Sequence, residues 1–127
     1  MAEVEVIQAG SPEAAQWAAT EYLQYDFRVA ERNGRLAGFL VSRRLAPDEA
    51  ELLTIAVAPE FRRQGVAGAL FAALAEEAQG QIFLEVRESN EGARKFYKSL
   101  GFQEVNTRRE YYENPLEAAI VMKFHSC

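Results

Sequence analysis

The sequence predicts an α/β (α+β) fold, a mixed central sheet of about seven strands with about three helices. Three observations carry this. Phe27-Arg-Val-Ala-Glu-Arg32 and Arg35-Leu-Ala-Gly-Phe-Leu-Val41 alternate in polarity on either side of Asn33-Gly34, the strongest short hairpin signal. Gln81-Ile-Phe-Leu-Glu-Val86 is almost continuously apolar, as strands inside sheets are. Between Glu51-Leu-Leu-Thr-Ile-Ala-Val57 and that strand runs a segment of helical period, so the two strands are expected to be parallel neighbours joined by a crossover helix.

The elements follow in order. Val4-Glu-Val-Ile-Gln-Ala9 alternates like an edge strand, and Gly10-Ser11-Pro12 places a cap before a proline suited to a first helical turn, opening a helix to about Tyr25. The hairpin comes next, then Leu45-Ala-Pro-Asp-Glu49 as a polar connection. Pro59 stops the strand that ends at Val57, because proline cannot donate to a ladder. From Gln64 onward Val66, Leu70, Ala73 and Leu74 fall at the spacing of one buried helix face, closed by Glu76, Glu77 and Gly80. Ser89 is the expected cap of a last helix, with Ala93, Phe96, Tyr97 and Leu100 on one face and Gly101 as its left-handed terminator. Two closing strands are expected near Phe102–Arg109 and Ala118–Phe124, joined by the turn-rich Tyr111-Tyr-Glu-Asn-Pro115.

The chain has 127 residues and is expected to form a single domain, 1–127, with no linker or repeat. A formal net charge of −5 argues against a nucleic-acid groove. The one cysteine, Cys127, permits no internal disulfide. Met1-Ala-Glu-Val-Glu-Val lacks a basic and apolar leader, and no apolar run reaches membrane length, so no membrane partner and a cytoplasmic location are expected. No His/Cys/Asp cluster has metal spacing, and the only histidine, His125, sits in the tail.

The chain is organised around Ile55-Ala-Val-Ala-Pro-Glu-Phe-Arg-Arg-Gln-Gly-Val-Ala-Gly-Ala-Leu70, a strand end, a tight turn and a helix start. A helix N-terminus carries unpaired N–H groups and the positive end of the macrodipole, so it attracts anions, phosphate above all. Gly65, Ala67 and Gly68 keep that surface small, while Arg62 and Arg63 supply charge and Gln64 an amide. The stretch reads as a pyrophosphate cradle. It contains neither Gly-Lys-Ser/Thr nor Gly-x-Gly-x-x-Gly, which sets aside triphosphatases and dehydrogenases.

Arg62-Arg63-Gln64-Gly65-Val66-Ala67 resembles motif A of the GNAT superfamily of N-acetyltransferases, Gln/Arg-x-x-Gly-x-Gly/Ala. Leu84-Glu-Val-Arg-Glu-Ser-Asn90, Phe96-Tyr-Lys-Ser-Leu-Gly-Phe102 and Arg108-Arg-Glu-Tyr-Tyr112 extend the likeness to Phe124, toward the bacterial branch that acetylates ribosomal-protein N-terminal alanines. The resemblance implies the GNAT fold, its parallel strands splayed at the acetyl-CoA site, and acetyl-CoA as cosubstrate without a metal. It implies that the backbone of Ile55, Ala56 and Val57 pairs with the pantetheine arm, and that Arg63 to Gly68, with Arg62 beside them, hold the pyrophosphate. Asn90 would contact the cofactor near its sulfur. Glu85 would be the general base, Tyr97 the general acid, and Tyr111 and Tyr112 would grip a peptide.

Acetyl transfer needs a neutral amine, an acceptor for the proton it sheds and a donor to the leaving thiolate. An α-amino group, with a pKa of about 7.7–8.0, is partly neutral at physiological pH, whereas lysine near 10.4 is not. A tyrosine, near 10, still holds its proton there. The Val57 N–H is the nominated donor to the oxyanion, and Glu51 is a reserve base. The stretch before Phe27 is shorter than in relatives of that branch. The acceptor therefore stays open at this point: a protein or peptide N-terminus, possibly a ribosomal protein, or a lysine, or a small-molecule amine. A catalytically silent acyl-CoA-binding module stands as the other class, and the chain is expected to be a monomer or homodimer.

Overall fold

The computed structural model describes residues 25–112 and 117–125. The expected first strand and first helix, and the turn at Asn114 and Pro115, lie outside them. Six strands form one sheet in the order β1-β2-β3-β4-β6-β5. β1 (Asp26–Arg32) and β2 (Arg35–Ala46) make the hairpin, with Asn33 at φ 55° and Gly34 at φ 73°, left-handed values at both turn residues as a tight two-residue hairpin requires. β3 spans Glu49–Val57, β4 Gln81–Arg87, β5 Gln103–Tyr112 and β6 Glu117–His125. β3 and β4 are parallel; the other described pairs are antiparallel.

The sequence reading ends β2 too early. Arg43 and Arg44 still pair with Glu51 and Ala50, and Arg43 Nε donates to the Glu51 carboxylate at 2.6 Å. The strand thus runs on through Leu45 and Ala46, and Pro47 and Asp48 alone make the turn.

Helix α1 (Val66–Ala78) follows a short 3-10 turn at Pro59–Phe61, and α2 (Glu91–Ser99) follows β4. The buried side of α1 is Val66, Leu70, Phe71, Leu74 and Ala78; Phe71 takes the place expected of Ala73, which is exposed. The larger ring wins because it reaches Phe102, with centroids 5.2 Å apart, and Phe124 at 4.8 Å. α1 ends at a left-handed Gln79, φ 46°, one residue before the expected Gly80. Gly80 serves a different need, since a Cβ there would lie 2.1 Å from the carbonyl oxygen of Asp48.

Register assigns the faces. Ile82, Leu84 and Val86 pair with Phe124, Met122 and Ile120, so these six share one side of the sheet, against which Phe71 packs α1. Tyr97 of α2 joins that side through Phe102, 5.9 Å centroid to centroid. Ile82, Leu84 and Met122 are almost wholly buried, and each such side chain contributes about 1.5–3 kcal/mol. Phe83, Glu85 and Arg87 alternate to the other face, where they remain half-exposed.

Two features open the middle of the sheet. β3 and β4 pair only at Glu49–Gln81, Ala50–Ile82 and Glu51–Phe83. Just beyond, Val41 faces Thr54 while Ser42 faces Leu52, so Leu53 is an extra residue on β3. Such a bulge bends its strand, and it lies just past the last parallel pair of β3 with β4. Gly38 on β2 then lets the start of α1 settle close: a Cβ there would meet the Ala56 carbonyl oxygen at 2.8 Å and Val66 Cγ1 at 3.1 Å.

Candidate active site

The end of β3 forms one wall of the opening. The N–H of Ala58 donates to the Ala37 carbonyl at 2.7 Å, flanking the Gly38–Val57 pair, so that pair is one whose members turn their own N–H and C=O away from each other. Alternation makes Ile55 like Val57 and gives Ala56 the bonds to Phe39. Ile55 and Val57 therefore direct their backbone groups toward the side from which β4 has diverged. Ala56, expected among the pairing residues, has its backbone groups on the β2 side instead.

The chain then turns through Arg62, Arg63, Gln64 and Gly65, all exposed. Arg63 sits at φ 63° and Gly65 at φ 77°. For Arg63 this left-handed conformation costs about 1–2 kcal/mol, and Gly65 avoids the same cost by lacking a Cβ. Two local bonds brace the turn, Gln64 Nε2 to the Glu60 carbonyl at 3.2 Å and Arg62 Nε to the Val57 carbonyl at 3.4 Å. Gly65 is the N-cap of α1 and offers no side-chain cap, and the first ladder bond is Ala69 N–H to Gly65 at 3.0 Å. The N–H groups of Val66, Ala67 and Gly68 precede that bond and have no acceptor within the helix. Val66 itself is buried and anchors the turn, Ala67 is half-buried, and Gly68 is exposed. A Cβ on Gly65 or on Gly68 would meet nothing within 4 Å among the described residues. An anion of phosphate chemistry fits such a surface.

β4 and the start of α2 make the opposite wall. Asn90 caps α2, its Oδ1 accepting from the N–H of Ala93 at 3.1 Å. Ser89, the expected cap, is engaged elsewhere: its N–H donates to Glu117 at 2.5 Å, and its hydroxyl donates there too. Those two bonds, with Arg87 Nη1 at 3.3 Å, hold the Glu117 carboxyl below the usual carboxylate range. Glu117 thereby ties the turn after β4 to the first residue of β6.

Glu85 lies on β4 two residues past the last parallel pair, its side chain 20% exposed. Its Oε1 accepts from Arg108 Nη1 at 2.7 Å, while Oε2 is buried and has no hydrogen-bond partner among the described residues. Tyr97 is on the other face, 5% exposed and in edge contact with Phe96 at 5.3 Å. Glu85 and Tyr97 lie on opposite faces of the sheet. Glu51, the reserve base, is held by Arg43. The backbone of Tyr112 pairs with Glu117, and the side chains of Tyr111 and Tyr112 lie outside the described residues. His125 is exposed at the end of β6. Sequence reasoning missed Gly38, Arg108 and Glu117, whose partners are distant along the chain.

A mixed sheet parted between two parallel strands, with a glycine turn feeding a helix start at the gap, defines an acyltransferase class of fold. Residues 4–102 match the Acetyltransferase (GNAT) family, and the chain belongs to it. It is similar to the [ribosomal protein bS18]-alanine N-acetyltransferase of Escherichia coli K12, 41% identical over 97 residues that cover 72% of this chain and 65% of that one. The chain thus spans less than two thirds of the length of this curated relative. The crystal structure of the Escherichia coli ribosomal-protein-S18-alanine N-acetyltransferase superposes with a TM-score of 0.74 at 31% identity, covering 99% of this chain and 89% of that one. Chaetomium thermophilum Naa20, solved with a bisubstrate analogue, gives 0.81 at 25% identity over 98% of this chain and 81% of that one.

Proposed function

We propose that the chain is an acetyl-CoA-dependent N-acetyltransferase whose acceptor is a protein N-terminal α-amino group, of the ribosomal-protein alanine type. The observation that carries the reading is the gap between β3 and β4, which has helix-start amides without a side-chain cap at one end and a half-buried carboxylate at the other. Bound there, acetyl-CoA would supply an acetyl group activated as a thioester. The amides of Gly65 to Gly68, with Arg62, Arg63 and Gln64, would hold its pyrophosphate, and the backbone of Ile55 and Val57 its pantetheine arm. Asn90, at the start of α2, lies toward the sulfur end.

Glu85 accepts the proton that the amine sheds, directly or through a water, and Tyr97 donates one to the leaving thiolate. A parted sheet lets groups on opposite faces serve one space, so the two need not touch. The Val57 N–H, directed into the gap, is placed to stabilise the oxyanion. An α-amino group near pH 8 needs only this modest assistance, whereas lysine would demand a far stronger base. The sequence similarity to the bS18-alanine enzyme supports an alanine-led acceptor.

Incubation with acetyl-CoA and peptides varied at their first residues, read by mass, tests this. Acetylation at the α-amine of alanine-led peptides is the expected result. Modification confined to lysines or free small amines would overturn the acceptor, and failure of calorimetry to detect acetyl-CoA uptake would overturn the whole reading.

A further inference from the structure

The register places Arg108 of β5 opposite Ala119 of β6, and Ala119 opposite Arg87 of β4. All three belong to the face that carries Glu85, and two arginines flank one small, wholly buried alanine. Their guanidinium groups diverge. Arg87 reaches Glu117 at 3.3 Å, and Arg108 reaches diagonally across β6 to Glu85 at 2.7 Å. Arg108 also sits at the last regular pair before β5 gains slack on β6: the next pair is Tyr112 with Glu117, four residues on along β5 and two along β6.

We propose that Arg108 is a positioning residue for the base, an inference that rests on the functional reading above. A carboxylate has two oxygens and a freely turning plane. Arg108 takes Oε1, which fixes that plane and with it the direction of Oε2, an atom without a hydrogen-bond partner among the described residues. Because Arg108 lies immediately before the slack segment that leads to Tyr111 and Tyr112, the base is referenced to the strand expected to grip the peptide. Seating of the acceptor and aim of the base are thereby set from one strand.

The test uses the full chain, acetyl-CoA and an alanine-led peptide, with R108A, R108K, E85Q and E85Q/R108A. Arg108 is half-exposed, so R108A is expected to fold, and R108K retains a cation if it does not. R108A should lower kcat about tenfold or more with the KM for acetyl-CoA unchanged, as a base misaimed by a fraction of an ångström does. R108K should recover part of the loss, and guanidinium ion added to R108A should restore turnover. The double variant should be no slower than E85Q, because the two groups act as one unit. Retention of wild-type kcat by R108A, or losses that simply add in the double variant, would overturn the proposal while leaving the functional reading intact. A wild-type protein that turns over no amine would overturn both.

Discussion

The two walls of the opening are made of different material. On the β3–α1 side the backbone groups of Ile55 and Val57 and the first amides of α1 lie along the gap, with Gly65 and Gly68 at the turn. On the β4–β6–β5 side they are charged side chains locked in pairs, Glu85 with Arg108 and Glu117 with Arg87 and Ser89. Backbone recognition suits a ligand that never changes, since no side-chain substitution can alter an amide. Side-chain recognition suits a variable ligand, because single substitutions can retune it. On the functional reading proposed above, the first wall would serve mainly the cosubstrate and the second mainly the acceptor.

The comparison can be broken most sharply at Tyr97. Tyr97→Phe removes one oxygen and keeps the ring contacts with Phe96 and Phe102, so thermal unfolding and acetyl-CoA affinity should match wild type while turnover falls about a hundredfold. Unchanged turnover would remove Tyr97 from the mechanism. The mirror experiment is Gly65→Val on the backbone wall. A β-branched residue at φ 77° should cost about 1–2 kcal/mol in denaturant unfolding. Screening one amide contact should weaken acetyl-CoA about tenfold by calorimetry, with kcat at saturation little changed.

The smallest expected effect sharpens the second wall. Glu117 has its folded pKa lowered below its ordinary 4.5, so its contribution to stability is complete above that value and lost as pH falls through the lower folded one. Wild type should therefore lose more stability than Glu117→Gln as pH drops below about 4.5, measured by thermal melts. Parallel pH profiles for the two proteins would show that the Ser89 contacts do not hold the turn.

The sequence made the element types legible because their signals are local. Alternation marked the hairpin, and a helical stripe between two apolar runs marked the parallel pair. What escaped it depended on partners far along the chain. Ser89 and Asn90 are both competent caps; Asn90 takes the role, while Ser89 is bonded to Glu117, 28 residues on. The tail of β2 is drawn out by Arg43 reaching Glu51. The glycine turn and the helix start after it were readable from composition, whereas Arg108 meets Glu85 across 23 residues and an intervening strand, which no periodicity reports.

Leu53 is an extra residue on β3, offset farther along by Leu45 on β2, so the strands are equal in count but locally out of step at the middle of the sheet. The cleft begins beside that local mismatch, where the parallel ladder stops at Glu51 and Phe83. Point substitutions around its rim can tune what enters, but the room itself persists through them.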